Sequence, residues 1–434
     1  MNLITNFFKD LTKDNITNGF IAFLFAVTGP VAIMLLVGTK TQLTNQELSS
    51  WLFGAFAINS IISIVFTFWY KQPLVFMWSI PGIILIGSSI ENYSFNEIIG
   101  AYLVTGILLI FLGFTSILVW INKKIPIEIV MGMVGAIFLQ FSLNWLFSIK
   151  ESPILSGSMT IAYFLIYAIP FLRKFLPPLL GSLVVGIIII LNSDSIDTLS
   201  KIEFIPISPT IFIPEFNLNA NIEIVIPLAI TVLFIQNGQG LAILKTAGHK
   251  TFLKPFTVAC GFGSIINSFF GTVSSCLTGP VTGIIVSEDQ NKHEANIKEA
   301  NNLIGEERAN YLLKTHGKET IKAAIIQFKK NEIIKTHYTG AIIFSLLCIV
   351  FGIFSPFFTG FITTCPPAFI STLGGIALLL VLKNTFIVAF SGNCSLGALI
   401  AFLITMSDLV FLNIGSPFWG LIGGVVVAKI FDKK

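Results

Sequence analysis

Trp78-Ser79-Ile80-Pro81-Gly82 and Ser274-Ser275-Cys276-Leu277-Thr278-Gly279-Pro280 set hydroxyls, glycine and proline in the middle of runs otherwise apolar enough to sit in lipid. Proline removes a backbone donor and clashes with the preceding turn, so neither run reads as one unbroken helix. Inside a bilayer the backbone groups freed by a break must find partners, and a break survives only against protein or a wet cavity. A half-helix that begins at Pro81 or Pro280 aims unpaired N–H groups and a partial positive charge at that cavity, which makes an anion site without Arg or Lys. Thr28-Gly29-Pro30 and Gln236-Asn237-Gly238-Gln239-Gly240 interrupt two further apolar runs and are read as breaks of the same kind.

These clusters recur because the chain is duplicated. Pro126 is followed nine residues on by Gly135, and Pro366 nine residues on by Gly375. Pro178-Leu179-Leu180-Gly181 returns as Pro417-Phe418-Trp419-Gly420, so the second copy lies about 240 positions after the first (126 to 366, 178 to 417). Apolar runs able to cross about 30 Å of hydrocarbon are read at 19–38, 51–69, 73–90, 97–121, 126–147, 153–171, 176–192, 222–244, 255–271, 272–287, 338–357, 364–382, 385–406 and 411–430. The expectation is an all-α membrane protein of fourteen spans. Seven spans per copy is odd, so the copies enter the membrane in opposite senses, and such inverted repeats hold a substrate site at discontinuous helices near the midplane. Spans 3 and 10 are the expected discontinuous pair.

The basic residues orient the chain. With both termini in the cytoplasm the inner side carries fourteen Lys and Arg, and segment 288–337 adds nine more; the outer side carries only Lys40, Lys150 and Lys201. That asymmetry is what the positive-inside rule asks for. The outer loop 192–221 is acidic and proline-bearing. The inner segment 288–337 has the apolar spacing of amphipathic helices.

Composition excludes a soluble globular protein: 54% hydrophobic, 11% charged, mean hydropathy +0.87, against about 25% charged in a soluble domain. The net charge of +4 comes without a basic aromatic patch, so nucleic acid is not expected. The polar first eighteen residues lack a signal-peptide pattern, and the first span is expected in the mature protein. Five cysteines without a CxxC pair read as small buried apolar groups. Four histidines in loops or at span ends offer no metal-ligand spacing, and no nucleophile–base pair lies at membrane depth. Neither enzyme, metal nor cofactor is expected. Gln236 and Asn237 are two amides in mid-span that must face the protein interior. Glu128 opens span 5 just after Pro126, Glu223 and Asp408 fall at outer span ends, Glu288 at an inner one, and Lys383 at the inner end of span 12. Gly420 and Gly424 form a small-xxx-small pair suited to a homodimer or to packing within one chain.

The runs Ser50-Trp51-Leu52, Tyr70-Lys71-Gln72-Pro73, Trp78-Ser79-Ile80-Pro81-Gly82, Gln236-Asn237 with Gly240-Leu241-Ala242-Ile243-Leu244-Lys245, and Ile414-Gly415-Ser416-Pro417-Phe418-Trp419-Gly420 occur in an order that resembles the benzoate/proton symporter family of bacterial inner membranes. That family is similar in architecture to the uracil permease fold. The resemblance implies a core domain from 1–121 and 222–357 (spans 1–4 and 8–11) and a gate domain from 122–221 and 358–434 (spans 5–7 and 12–14). It implies uptake of a small organic anion, an aromatic carboxylate such as benzoate, by proton symport and alternating access. The alternatives are an anion exchanger or a channel on the same scaffold, or a nucleobase-type permease, against which the lack of mid-span acidic residues in spans 8 and 10 speaks. The expected substrate contacts are Thr28, Gly29, Trp78, Ser79, Pro81, Gly82, Gln236, Asn237, Thr278, Gly279 and Pro280, with Trp78 as a stacking platform and Glu128 as the candidate proton carrier.

Overall fold

A computed structural model describes residues 3–38, 43–90, 92–115, 126–192, 204–287, 332–407, 409, 411 and 416–432. Most of the inner segment expected over 288–337, together with Asp408, Glu288 and Ile414-Gly415, lies outside them. The chain is a mostly helical membrane protein. Among the described residues seven helices are long and apolar enough to cross a bilayer: α2 (Lys13–Gly38), α3 (Asn45–Tyr70), α5 (Phe95–Phe114), α6 (Ile127–Glu151), α10 (Leu218–Thr246), α13 (Glu332–Ile353) and α15 (Pro367–Ser391). Shorter apolar helices are α7 (Pro153–Ala168), α9 (Pro178–Leu191), α16 (Ser395–Met406) and α17 (Ser416–Ile430). The remainder are α1 (Leu3–Asp10), α4 (Ile80–Ser89), α8 (Pro170–Phe175), α11 (Leu253–Ser268), α12 (Gly279–Ile285) and α14 (Ser355–Thr364).

The runs around Ser79 and Thr278 change from strand to helix. β1 (Phe76–Trp78) precedes α4, β2 (Ser275–Leu277) precedes α12, and the strands pair antiparallel with Met77 opposite Cys276. The ladder continues at both ends, with Ser79 N–H bonded to Ser274 O at 3.1 Å and Thr278 N–H to Val75 O at 3.0 Å. In a medium without water the outer edges of so short a ribbon need partners, and polar side chains of adjacent helices supply them. Phe76 N–H donates to Ser63 Oγ at 2.8 Å, and Thr67 Oγ1 donates to Leu74 O. Ser275 N–H donates to Ser264 Oγ at 3.0 Å, and Leu277 N–H to Asn237 Oδ1 at 2.8 Å. Asn59, Asn267 and Ser275 close a buried hydrogen-bonded triangle beneath the pair.

Two of the four expected breaks are not breaks. α2 runs through Thr28-Gly29-Pro30 without interruption, because one proline costs a helix a single donor. Thr28 Oγ1 turns back onto Leu24 O and Phe25 O of its own helix. α10 likewise runs through Gln236-Asn237, with π turns at Asn221–Val225 and Thr231–Gln236; such bulges absorb an extra residue without ending the helix. The boundary expected between 382 and 385 is also absent. α15 continues through Lys383-Asn384 to Ser391 and matches α6 in length, 25 residues each, 240 positions on (127 to 367). Lys383 is therefore an exposed mid-helix residue rather than a span end. Gly420 and Gly424 pack within the chain: a Cβ on Gly420 would lie 2.8 Å from Ala401 O, and one on Gly424 2.8 Å from Gly397 O.

Residues 204–216 form an extended strap. Its backbone bonds Ile353 O through Ile207, Ser50 Oγ through Thr210, Phe269 O through Phe212 and Asn96 O through Glu215. It thus ties the ends of α13, α3, α11 and α5, and Phe212 packs edge-on against Phe95.

Past α10, Gly248 takes a left-handed turn (φ 85) and brings buried His249 to buried His337 of α13, Nε2 to Nδ1 at 3.2 Å. Burial pushes His249 down from its ordinary 6.5 to about 4. The unfolded chain takes up a proton below about 6.5 that the folded loop refuses, so stability is full above that pH and declines from 6.5 towards 4. Melting temperatures recorded from pH 8 to 4.5 are expected to show this decline, with a shallower slope in His249→Asn.

Candidate functional site

A cavity of about 370 Å³ lies where β1–α4 and β2–α12 meet α2, α6, α10 and α15. Its walls are apolar. Phe25 and Pro30 come from α2, Met77 and Trp78 from β1, and Met131 and Phe138 from α6. Its polar groups are Gln236 and Gln239 of α10, Thr278 at the start of α12, and Asn384 and Thr385 of α15. Among the described residues no charged side chain lines it.

Pro81 and Pro280, each in the first turn of its helix, also face the cavity. Proline has no N–H to leave unpaired there and its φ suits a helix start. The two starts differ. Ser79 caps α4 by accepting Gly82 N–H at 3.1 Å, which draws one of the four orphan donors inward. Thr278 makes no such cap, and its hydroxyl lines the cavity. Thr282 Oγ1 bonds Thr278 O at 2.6 Å and anchors the turn.

Five expected contacts come together around this volume: Trp78, Pro81, Gln236, Thr278 and Pro280. Thr28, Ser79, Gly82, Asn237 and Gly279 stand behind the lining, and Gly29 lies within the uninterrupted α2. Asn237, 1% exposed, holds β2 through Leu277 N–H and accepts the Cys260 thiol at 3.5 Å. Trp78 packs its ring on Phe56, centroids 4.5 Å apart, and its buried Nε1 has no hydrogen-bond partner among the described residues. Glu128 is also outside the lining; its carboxylate abuts Gly392, where a Cβ would fall 2.0 Å from Oε1. Glu223, expected at an outer span end, is 3% exposed and accepts from Ser89 Oγ at 2.6 Å and Tyr93 OH at 3.0 Å.

Sequence reasoning missed Gln239, Asn384 and Thr385 as lining groups. The 240-residue offset read in the sequence could have found the last two: carrying Ile127–Glu151 forward by 240 positions places Asn384 inside a helix, where a polar side chain needs an interior partner.

A family model described as benzoate membrane transport protein matches residues 9–305 and 315–430. The Inner membrane protein YdcO of Escherichia coli (strain K12) is 25% identical over 422 residues, 96% of each chain. The Benzoate membrane transport protein of Acinetobacter baylyi is 24% identical over 418 residues, 96% of this chain and 94% of that one. Among solved structures, the transmembrane domain of the cyanobacterial bicarbonate transporter BicA aligns with a TM-score of 0.54 and 13% identity over 95% of this chain and 97% of that one. SLC26A9 aligns with a TM-score of 0.60 and 14% identity over 97% of this chain and 65% of that one. Murine Slc26a9, described as an anion transporter in the inward-facing state, gives a TM-score of 0.58. The family is one of membrane transport proteins, not of enzymes.

Proposed function

We propose, starting from the fact that this chain belongs to the benzoate membrane transport protein family, that it is a secondary carrier of a small organic anion in the bacterial inner membrane. The substrate is an aromatic carboxylate such as benzoate, moved with protons by alternating access. The observation that carries this reading is the cavity: apolar and aromatic over most of its wall, amide- and hydroxyl-bearing at Gln236, Gln239, Asn384 and Thr278, and without a charged side chain among its described lining residues. A benzene ring needs the first surface and a single carboxylate the second. Helix starts at Pro81 and Pro280 supply positive potential without a fixed cation, so the anion is attracted and is also free to leave. The volume lies at the small end of ligand pockets, which favours a one-ring acid.

The proposed topology is fourteen crossings in two inverted seven-span repeats, with β1–α4 and β2–α12 as discontinuous spans 3 and 10 and both termini cytoplasmic. Residues 1–121 and 222–357 form the core, 122–221 and 358–434 the gate. The strap 204–216, though it falls within 122–221, bonds only core helix ends and so packs with the core. With α2, α6, α10 and α15 so oriented, the lining residues they contribute fall about the middle of each helix, which puts the cavity near the bilayer midplane. Glu128 is the first proposed proton carrier, and buried Glu223 the second.

The experiment is uptake of labelled benzoate into proteoliposomes with and without an inward-directed proton gradient. Accumulation driven by the gradient is expected. Gradient-independent uptake that is accelerated by internal benzoate would replace symport with exchange, and no saturable uptake of any aromatic acid would remove the substrate assignment.

A further inference from the structure

A second concavity, of about 380 Å³, shares no lining residue with the first. It forms where the last turns of α3 and α5 meet the first turns of α11. Gly113 makes the shape: a Cβ there would lie 2.6 Å from Val258 Cγ2 and 3.3 Å from Lys254 O. α5 and α11 therefore touch at their backbones, and the side chains flanking the contact splay into a slot. One wall is a run of nearly parallel rings, Phe66 with Tyr70 at 5° and Trp69 with Tyr70 at 25°. Phe114 and Phe262 stand across from it, and Lys254 is at its rim.

Exposed apolar side chains alone mean nothing on a surface that faces lipid. This patch differs in being concave, in being aromatic, and in carrying a cation. Lys254 is exposed and has no carboxylate partner among the described residues. Lys71 follows Tyr70 directly, in a left-handed turn (φ 48) that ends α3. Both lysines sit at helix ends, the depth of the headgroup layer, where Trp and Tyr rings also settle. Basic pockets between helices at that depth hold anionic headgroups. A second copy of the chain fits less well, because a two-fold contact would set Lys254 against a groove whose described lining offers no carboxylate.

We propose that this groove is a binding site for one anionic glycerophospholipid of the surrounding membrane, with an acyl chain against the Phe66–Trp69–Tyr70 wall and the headgroup phosphate on Lys254. The lipid holds the α3, α5 and α11 ends together at a site that shares no lining residue with the anion cavity.

The test is native mass spectrometry of the full-length protein in detergent, titrated with phosphatidylglycerol or with phosphatidylcholine of the same chains, with benzoate affinity measured in parallel. Wild type is expected to retain phosphatidylglycerol preferentially. Lys254→Glu should weaken phosphatidylglycerol by at least about fivefold, following the roughly 1 kcal/mol that each basic residue near an anionic surface contributes, and leave phosphatidylcholine and benzoate unchanged. Trp69→Ala should weaken both lipids and leave benzoate unchanged. Equal retention of the two lipids by wild type, or a Lys254→Glu variant with wild-type selectivity, overturns the proposal. So does displacement of the lipid by millimolar inorganic phosphate, which would make the site a reader of free anions. A Trp69→Ala variant that changes oligomeric state while keeping lipid selectivity would give the groove to a second copy and overturn it too.

Discussion

Gln236→Glu is expected to weaken benzoate binding at pH 7.5 by at least about 100-fold, because a fixed carboxylate within about 4 Å of the bound one costs several kcal/mol even at an effective dielectric of about 20. Gln236 lines the cavity beside Gln239 and Thr278. No hydrogen bond holds it to another described side chain, so the variant changes the ligand's environment and little else. Gln236→Leu separates the two contributions. It removes the amide without adding charge, and a hydrogen bond to a charged group contributes about 1.5–3 kcal/mol, so a loss of about tenfold or somewhat more is expected. Relative to wild type at the same pH, lowering the pH to 5.5 should recover part of the binding in Gln236→Glu and none in Gln236→Leu, since a protonated carboxyl again resembles an amide. Equilibrium binding in detergent is the proper readout, because it removes the proton gradient from the comparison. Binding by Gln236→Glu within about twofold of wild type would take Gln236 out of the site.

Much of this was legible in the chain, and the illegible parts have identifiable causes. Pro81 and Pro280 announce helix starts by the proline alone, and the structure begins α4 and α12 beside them. The strands before them are only three residues long, too short for any period to emerge. They exist because Ser63, Ser264 and Asn237 stand opposite their free edges, and that juxtaposition belongs to the tertiary fold. Thr28-Gly29-Pro30 carries the same letters as a break yet remains helical, since nothing in a proline says whether the chain after it turns away or continues. Lys383-Asn384 looked like a loop because a charge and an amide adjoin in an apolar run. The helix continues because Lys383 projects to the surface while Asn384 reaches the cavity. Adjacent Gln236 and Asn237 read in the sequence as one amide pair. Successive helical residues point about 100° apart, and the π turn that ends at Gln236 shifts the register further, so only the packing reveals that the first faces ligand and the second faces β2.

Asn237→Ala is accordingly expected to show the opposite signature from Gln236→Leu. Leu277 N–H is fully buried on the outer edge of β2, and Asn237 Oδ1 is its acceptor at 2.8 Å. Water cannot reach the vacated place, so the donor is left unsatisfied at about 1–3 kcal/mol. The surroundings have little room to repair the loss. A Cβ on Gly240 would meet Leu277 O at 2.7 Å, so α10 already touches β2 and cannot slide closer. The strand is also the lead-in to Thr278 and α12, and a shift there moves a cavity wall. The melting temperature should therefore fall clearly in Asn237→Ala and stay near wild type in Gln236→Leu. Amide exchange at Leu277 should quicken in the first and not in the second. Benzoate should stabilise Asn237→Ala still, with affinity reduced only as far as β2 is displaced. Should Asn237→Ala instead melt with wild type and lose benzoate binding outright, Asn237 would be the ligand contact, and the division of labour between these two neighbours would be reversed.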